Sequence, residues 1–199
     1  MQNAIDLPRQ VRALGRIRAL SRPLTLLISI ALGLSIVIPI AEILVILFFH
    51  QFGSPRASVS FNEWGVGLTI GNIELQNEAL IPLDSLAFGQ RLAAAGLAAL
   101  CATCAAIALT HLRALFALYS RGTVFATVNI VRMKKFGLWL AVTGIVVNAS
   151  GRLFVLVMGA PVQGTANAAM AVVYGAMIYV IAYVMQLGRE ADLERKEFL

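Results

Sequence analysis

Charge is what this sequence has least of. Asp, Glu, Lys and Arg make up 13% of the 199 residues, about half the share usual in a soluble domain. A water-soluble fold so poor in charge could not cover its own surface. Cysteine is almost missing too: Cys101 and Cys104 lie together in one apolar run, which excludes a disulfide framework in an exterior loop. The two histidines, His50 and His111, fall at opposite ends of the expected membrane topology, so they cannot share a metal. No phosphate-cradling glycine loop, metal-ligand spacing or serine triad is present, and no cofactor is expected.

What is abundant is apolar: hydrophobic residues reach 59%. A bilayer core about 30 Å thick needs about 20 such residues in a helix. Four segments meet that length, at 24–49, 92–112, 136–158 and 166–187. The first follows a basic stretch, as in a signal peptide. Its apolar run is much longer than the ~7–15 residues of such a leader, so it is expected to remain as an anchor. Glycine and alanine recur within the spans, as in helices that approach closely in lipid. The expected fold is therefore all-α, a single membrane domain of four transmembrane helices.

The net charge of +6 is placed beside the apolar runs, where it orients the chain and meets anionic lipid; direct nucleic-acid binding is not expected. Arg9, Arg12, Arg16, Arg18 and Arg22 fill the segment 1–23, with Asp6 as its acid. Arg113, Arg121, Arg132, Lys134 and Lys135 fill 113–135, where no acid occurs. Both segments should be cytoplasmic, giving a multi-pass protein of the bacterial cytoplasmic membrane with both termini inside, the tail being 188–199.

The exterior loop, 50–91, is about forty residues long, more than a simple connection needs. Val59 to Phe61 and Val66 to Leu75 alternate apolar and polar residues, with Gly65, Gly67, Gly71 and Asn72 as turn chemistry. That pattern predicts a small β-hairpin capping the outer ends of the bundle. Such a cap either senses a ligand or simply covers helix ends.

In the connection, Gly122 is a natural helix stop, and Thr123 or Thr127 an N-cap for a new helix. Val124, Val128, Val131 and Phe136 would lie along the membrane while Arg132, Lys134 and Lys135 meet headgroups. The block formed by Arg121-Gly122, Phe125, Asn129, Met133-Lys134 and Gly137 resembles that of DUF2975, a family of small bacterial four-span membrane proteins of uncharacterised function. The architecture is also similar: a basic start, a long loop after span one and a short charged tail, although the tail lacks the family's acidic ending. Members are often encoded beside a small helix-turn-helix DNA-binding protein. The resemblance thus implies a cytoplasmic helix-turn-helix partner, held at a surface including Arg121, Gly122, Phe125, Asn129, Arg132, Lys134 and Lys135. The same basic residues also suffice to fix topology.

An ionisable residue within a span costs roughly 2.5–3.5 kcal/mol on insertion scales, so Glu42 and Arg152 need an explanation. Counted along spans one and three at 1.5 Å per residue, the two sit at similar heights in the outer third. A charge-assisted pair between them is expected, with Asn148 one turn from Arg152 on the same face and Pro39 bending span one. Such a network would be a proton-responsive site or a structural pair, unless each residue snorkels separately to the interface. Cys101 and Cys104 have Cys-x-x-Cys spacing, which thiol chemistry can use when a cation lowers one thiol's pKa; the surrounding alanines and leucines favour helix packing instead.

Three function classes remain. A non-enzymatic sensor or regulator of a cytoplasmic partner is favoured; a small transporter component follows, and could gain a polar path by homo-oligomerisation; a membrane thiol oxidoreductase comes last.

Overall fold

The computed structural model describes residues 7–48, 57–62, 64–70, 80–121, 127–159 and 166–197. Its elements are helix α1 (Leu7–Phe48), strands β1 (Ala57–Asn62), β2 (Gly65–Ile70) and β3 (Ile81–Pro82), a 3-10 turn (Leu83–Ser85), and helices α2 (Phe88–Ser120), α3 (Thr127–Met158) and α4 (Ala166–Glu197). Each of the four helices contains a stretch long and apolar enough to cross a bilayer. The chain is an integral membrane four-helix protein with a small antiparallel sheet.

All four helices exceed their expected spans, because an apolar run bounds only the part of a helix that needs lipid. α1 is continuous through Pro23 and Pro39. α2 continues past Leu112 to Ser120, and α3 is already helical at Thr127. The expected approach segment is therefore not a separate helix: Arg132, Lys134 and Lys135 ride on the first turns of α3 itself. Gly122, Thr123 and Phe125 fall outside the described residues.

Neighbouring helices pack in sequence order, α1 on α2, α2 on α3 and α3 on α4. The α3–α4 contact is the closest. A Cβ built on Gly137 would lie 2.7 Å from the Gly175 carbonyl oxygen, and one on Gly175 would lie 2.5 Å from that of Gly137. One heptad away, Gly144 meets the carbonyl of Ala168 in the same way. Only residues without larger side chains allow this backbone contact, which supplies the dispersion attraction that holds helices together in lipid. Outward faces remain apolar, as with Leu26, Ile30 and Val37 on α1 and Val173, Met177 and Val184 on α4, all at least half exposed. A surface of this kind is suited to acyl chains.

β1 is the central strand of the order β2-β1-β3, pairing Val59 with Leu68 and Ile81, and Phe61 with Val66. Alternation places Ala57, Val59 and Phe61 on one buried face. That face does not simply cover the helix ends. It enters the core shared with Ile46 of α1, Ala94, Ala95, Ala98 and Cys101 of α2, and Val147 and Phe154 of α3. Gly65, at φ +121°, brings the hairpin against Cys101, which is about 16 Å of helix rise along α2 from Gln90. The hairpin expected from alternation is present; its descent between the helices is the new feature. Residues 71–79 lie outside the described residues.

Candidate functional site

The site begins where the sheet enters the helices. Phe61 projects from β1 onto α3, its ring 5.5 Å from that of Phe154 at a tilt of 47°. It also covers Gly151, where a Cβ would come within 3.1 Å of the Phe61 ring. Behind the sheet, Arg91 is buried and donates from Nε to the Leu86 carbonyl at 3.2 Å and from Nη2 to the Leu83 carbonyl at 2.8 Å. A guanidinium in this setting satisfies carbonyls that the turn would otherwise bury. Gln90 accepts from the Ala87 N–H at 3.0 Å and donates to the Val157 carbonyl at 3.1 Å, tying the start of α2 to the end of α3. Sequence reasoning missed Arg91 because it stands at the edge of the apolar run, where an arginine is ordinarily read as a topology signal.

Glu42 faces the outer strand of the sheet. Its carboxylate accepts a hydrogen bond from the Leu68 backbone N–H, on a strand whose other side pairs with β1. Edge-strand donors among transmembrane helices have no water to turn to, and each would be costly unpaired. The expected Glu42–Arg152 pair is not formed: α2 stands between α1 and α3 in the packing order, and Arg152 is exposed. Equal height along two helices says nothing about direction around them. Asn148 donates instead to the carbonyl of Gly144 on its own helix, at 3.4 Å.

Below the hairpin lies a cavity of about 730 Å³ walled by all four helices and by Asn62, Trp64, Val66 and Gly67. Its wall extends on α2 from Ala98 to Leu112 and on α3 from Phe136 to Val147, about 21 Å and 16 Å of helix rise. Glu42 is the only Asp, Glu, Lys or Arg on this wall among the described residues, and it sits at the hairpin end. The hydroxyls of Ser35 and Thr143 are turned back to the carbonyls of Leu32 and Trp139, at 2.9 and 2.7 Å. Alanines supply most of the α2 wall, leaving space where larger residues would have closed the bundle. α1 and α4 both line the cavity, and neither is a main packing neighbour of the other, since α1 packs chiefly on α2 and α4 on α3.

Cys101 is on this wall and is hydrogen-bonded with Ser150. Both cysteines are buried and free; among the described residues no basic side chain acts on either thiol. Nor do three His, Cys, Asp or Glu side chains converge, among the described residues, as a metal site would need.

The surface expected to meet a cytoplasmic partner gathers at the opposite end. Lys134 donates to Gln186 Oε1 and lies 5.1 Å from the Tyr183 ring centroid and 6.0 Å from that of Tyr179. Gln186 in turn donates to Glu190 at 2.8 Å. Arg189 donates to the Thr127 hydroxyl. Asn129 is buried at 1% exposure, whereas Lys135 and Arg121 are exposed and Arg132 half-buried. The predicted surface therefore divides into Lys134 and Asn129, engaged within the fold, and Arg132 and Lys135, which can reach outward.

No family model, curated protein or solved structure matches the chain.

Proposed function

We propose that this chain is a non-enzymatic sensor of the bacterial cytoplasmic membrane, with both termini inside, that receives an apolar ligand from the bilayer in the hairpin-capped cavity and regulates a cytoplasmic partner. The observation that carries this reading is the double attachment of α3. One end holds Phe61 of the hairpin through Gly151 and Phe154, its middle forms the cavity wall, and its other end bears Arg132 and Lys135. A change in the cavity that moves α3 or its close partner α4 moves that basic end as well. The resemblance to DUF2975 makes a helix-turn-helix regulator the favoured partner.

The test is crosslinking in bacterial membranes followed by identification of what co-purifies, comparing wild type with Arg132→Gln/Lys135→Gln, with insertion and topology verified for both. A DNA-binding protein captured by wild type and lost from the variant supports the reading. Capture of none by correctly inserted protein removes the regulatory half.

A small transporter component is the second reading, favoured by a cavity that touches all four helices and faces the gap between α1 and α4. Substrate-dependent flux in proteoliposomes, without any partner, would favour it.

A further inference from the structure

The cavity's chemistry narrows what it accepts. It is embedded among membrane-spanning helices, so its occupants are drawn from the bilayer. At about 730 Å³ it falls within the ~300–1,000 Å³ typical of small-molecule sites. Its walls run about 16 to 21 Å along α3 and α2, close to the ~15 Å of hydrocarbon in one leaflet. A single alkyl chain lying parallel to the helices fits that shape. Ala108, Leu109, Leu112 and Phe136 line the end away from the hairpin together with Tyr174, next to the Gly175 that packs on Gly137, so this end is apolar but for one uncharged phenol.

The hairpin end carries the wall's carboxylate beside the neutral amides Asn62 and Asn167. Glu42 has a single described polar partner, the Leu68 N–H, which leaves acceptor sites over on its two oxygens. Among the described residues no basic side chain acts on it, and Arg152, at similar height, is exposed. A carboxylate that is the one charged group on a wall of apolar and neutral polar side chains favours a ligand that brings its own positive charge.

We infer that the cavity binds single-chain hydrophobic ammonium ions, the cationic head at Glu42 and the alkyl tail running toward Leu112 and Phe136, with entry from the bilayer between α1 and α4. This rests on the cavity being the receiving site proposed above and adds the ligand's chemical class. Glu42 has two tasks in this arrangement. One oxygen holds the edge of β2 while the remaining acceptor capacity meets the ammonium group, so occupancy is felt directly by the hairpin.

The experiment uses the full chain in phosphatidylcholine nanodiscs with Trp139→Phe, which leaves Trp64 on the cavity wall as the sole tryptophan. Bromododecyltrimethylammonium is titrated as a quenching probe, beside the uncharged bromododecyl maltoside. The expected result is saturable quenching of Trp64 by the cation. Its apparent Kd should rise at least about tenfold in Glu42→Gln, which keeps an acceptor for Leu68 but removes the charge. Ala105→Phe, which fills the cavity from the α2 wall, should abolish saturation. Quenching that never saturates, or is unchanged by Ala105→Phe, reflects partition into lipid and overturns the inference. Equal saturable binding of both probes, unaffected by Glu42→Gln, also overturns it while leaving the cavity as a receiving site for uncharged amphiphiles. Because no partner is present, the outcome is independent of the crosslinking test.

Discussion

Glu42 and Leu68 join the first membrane helix to the sheet through one hydrogen bond, carboxylate to backbone N–H. The bond explains a costly residue by a need of the backbone: β2 has a partner on one side, and the other side faces a helix instead of water. Glu42→Gln retains an acceptor and should change stability by less than about 1 kcal/mol. Glu42→Leu removes it and should cost about 1–3 kcal/mol, the usual penalty for stranding a buried donor. Unfolding in mixed detergent micelles by added SDS, followed through Trp64 emission, measures the difference. Equal loss in the two variants would mean that the charge, not the hydrogen bond, holds the strand.

Packing of the hairpin on α3 yields a second expectation. Phe61 is fully buried between Phe154 and Gly151, so Phe61→Ala should cost about 3–5 kcal/mol if the cavity does not collapse. Gly151→Val attacks the same contact from the helix, placing atoms where the Phe61 ring lies. Both should free the hairpin from the bundle, seen as faster proteolysis of the loop that carries it in detergent micelles, with all four spans still inserted when the same variants are expressed in membranes. Loss of insertion would instead show that the hairpin is needed to assemble the helices.

The close α3–α4 contact predicts a sharper effect. Gly137 and Gly175 meet backbone to backbone, and any Cβ there must push α3 and α4 apart. Gly175→Val is expected to destabilise by at least about 1–3 kcal/mol, as overpacking does, whereas Gly96→Ala, in open space on α2, should be close to neutral. SDS titration of the two variants in parallel checks the contrast.

These relationships differ in how far the sequence announces them. The four helices follow from apolar length, and the close α3–α4 contact is foreshadowed by glycines one heptad apart at Gly137 and Gly144. Strands β1 and β2 follow from alternation at Val59, Phe61, Val66 and Leu68. The depth of the hairpin does not, because it depends on long-range packing of Phe61 and Gly65 against residues that look like ordinary helix positions. Counting residues placed Glu42 and Arg152 at like heights but could not give their directions around two helices separated by a third. The partner Glu42 actually has is a backbone group, which carries no signature in the sequence at all. The cavity is legible only as a run of alanines in α2, a pattern equally consistent with tight packing.

The basic end of α3 is where a structural role and the proposed recognition role can be told apart. Lys134 is tied to Gln186 and sits over Tyr183, so Lys134→Ala should cost about 1–2 kcal/mol through the lost hydrogen bond and cation–π contact. Among the described residues Arg132 and Lys135 show no comparable tie to α4, and neutralising them should shift stability by less than about 0.5 kcal/mol each. Partner capture should respond in the opposite order, falling with Arg132→Gln/Lys135→Gln and persisting in Lys134→Met whenever that variant is folded. SDS titration and crosslinking on the same preparations read the two effects side by side. If capture instead tracked stability across all the variants, the basic residues would serve only to hold the helices and fix topology. A partner would then have to be sought at another part of the surface. The opposite ordering would assign α3 two functions along one turn, with Lys134 keeping it on α4 and Arg132 and Lys135 presenting it to the cytoplasm.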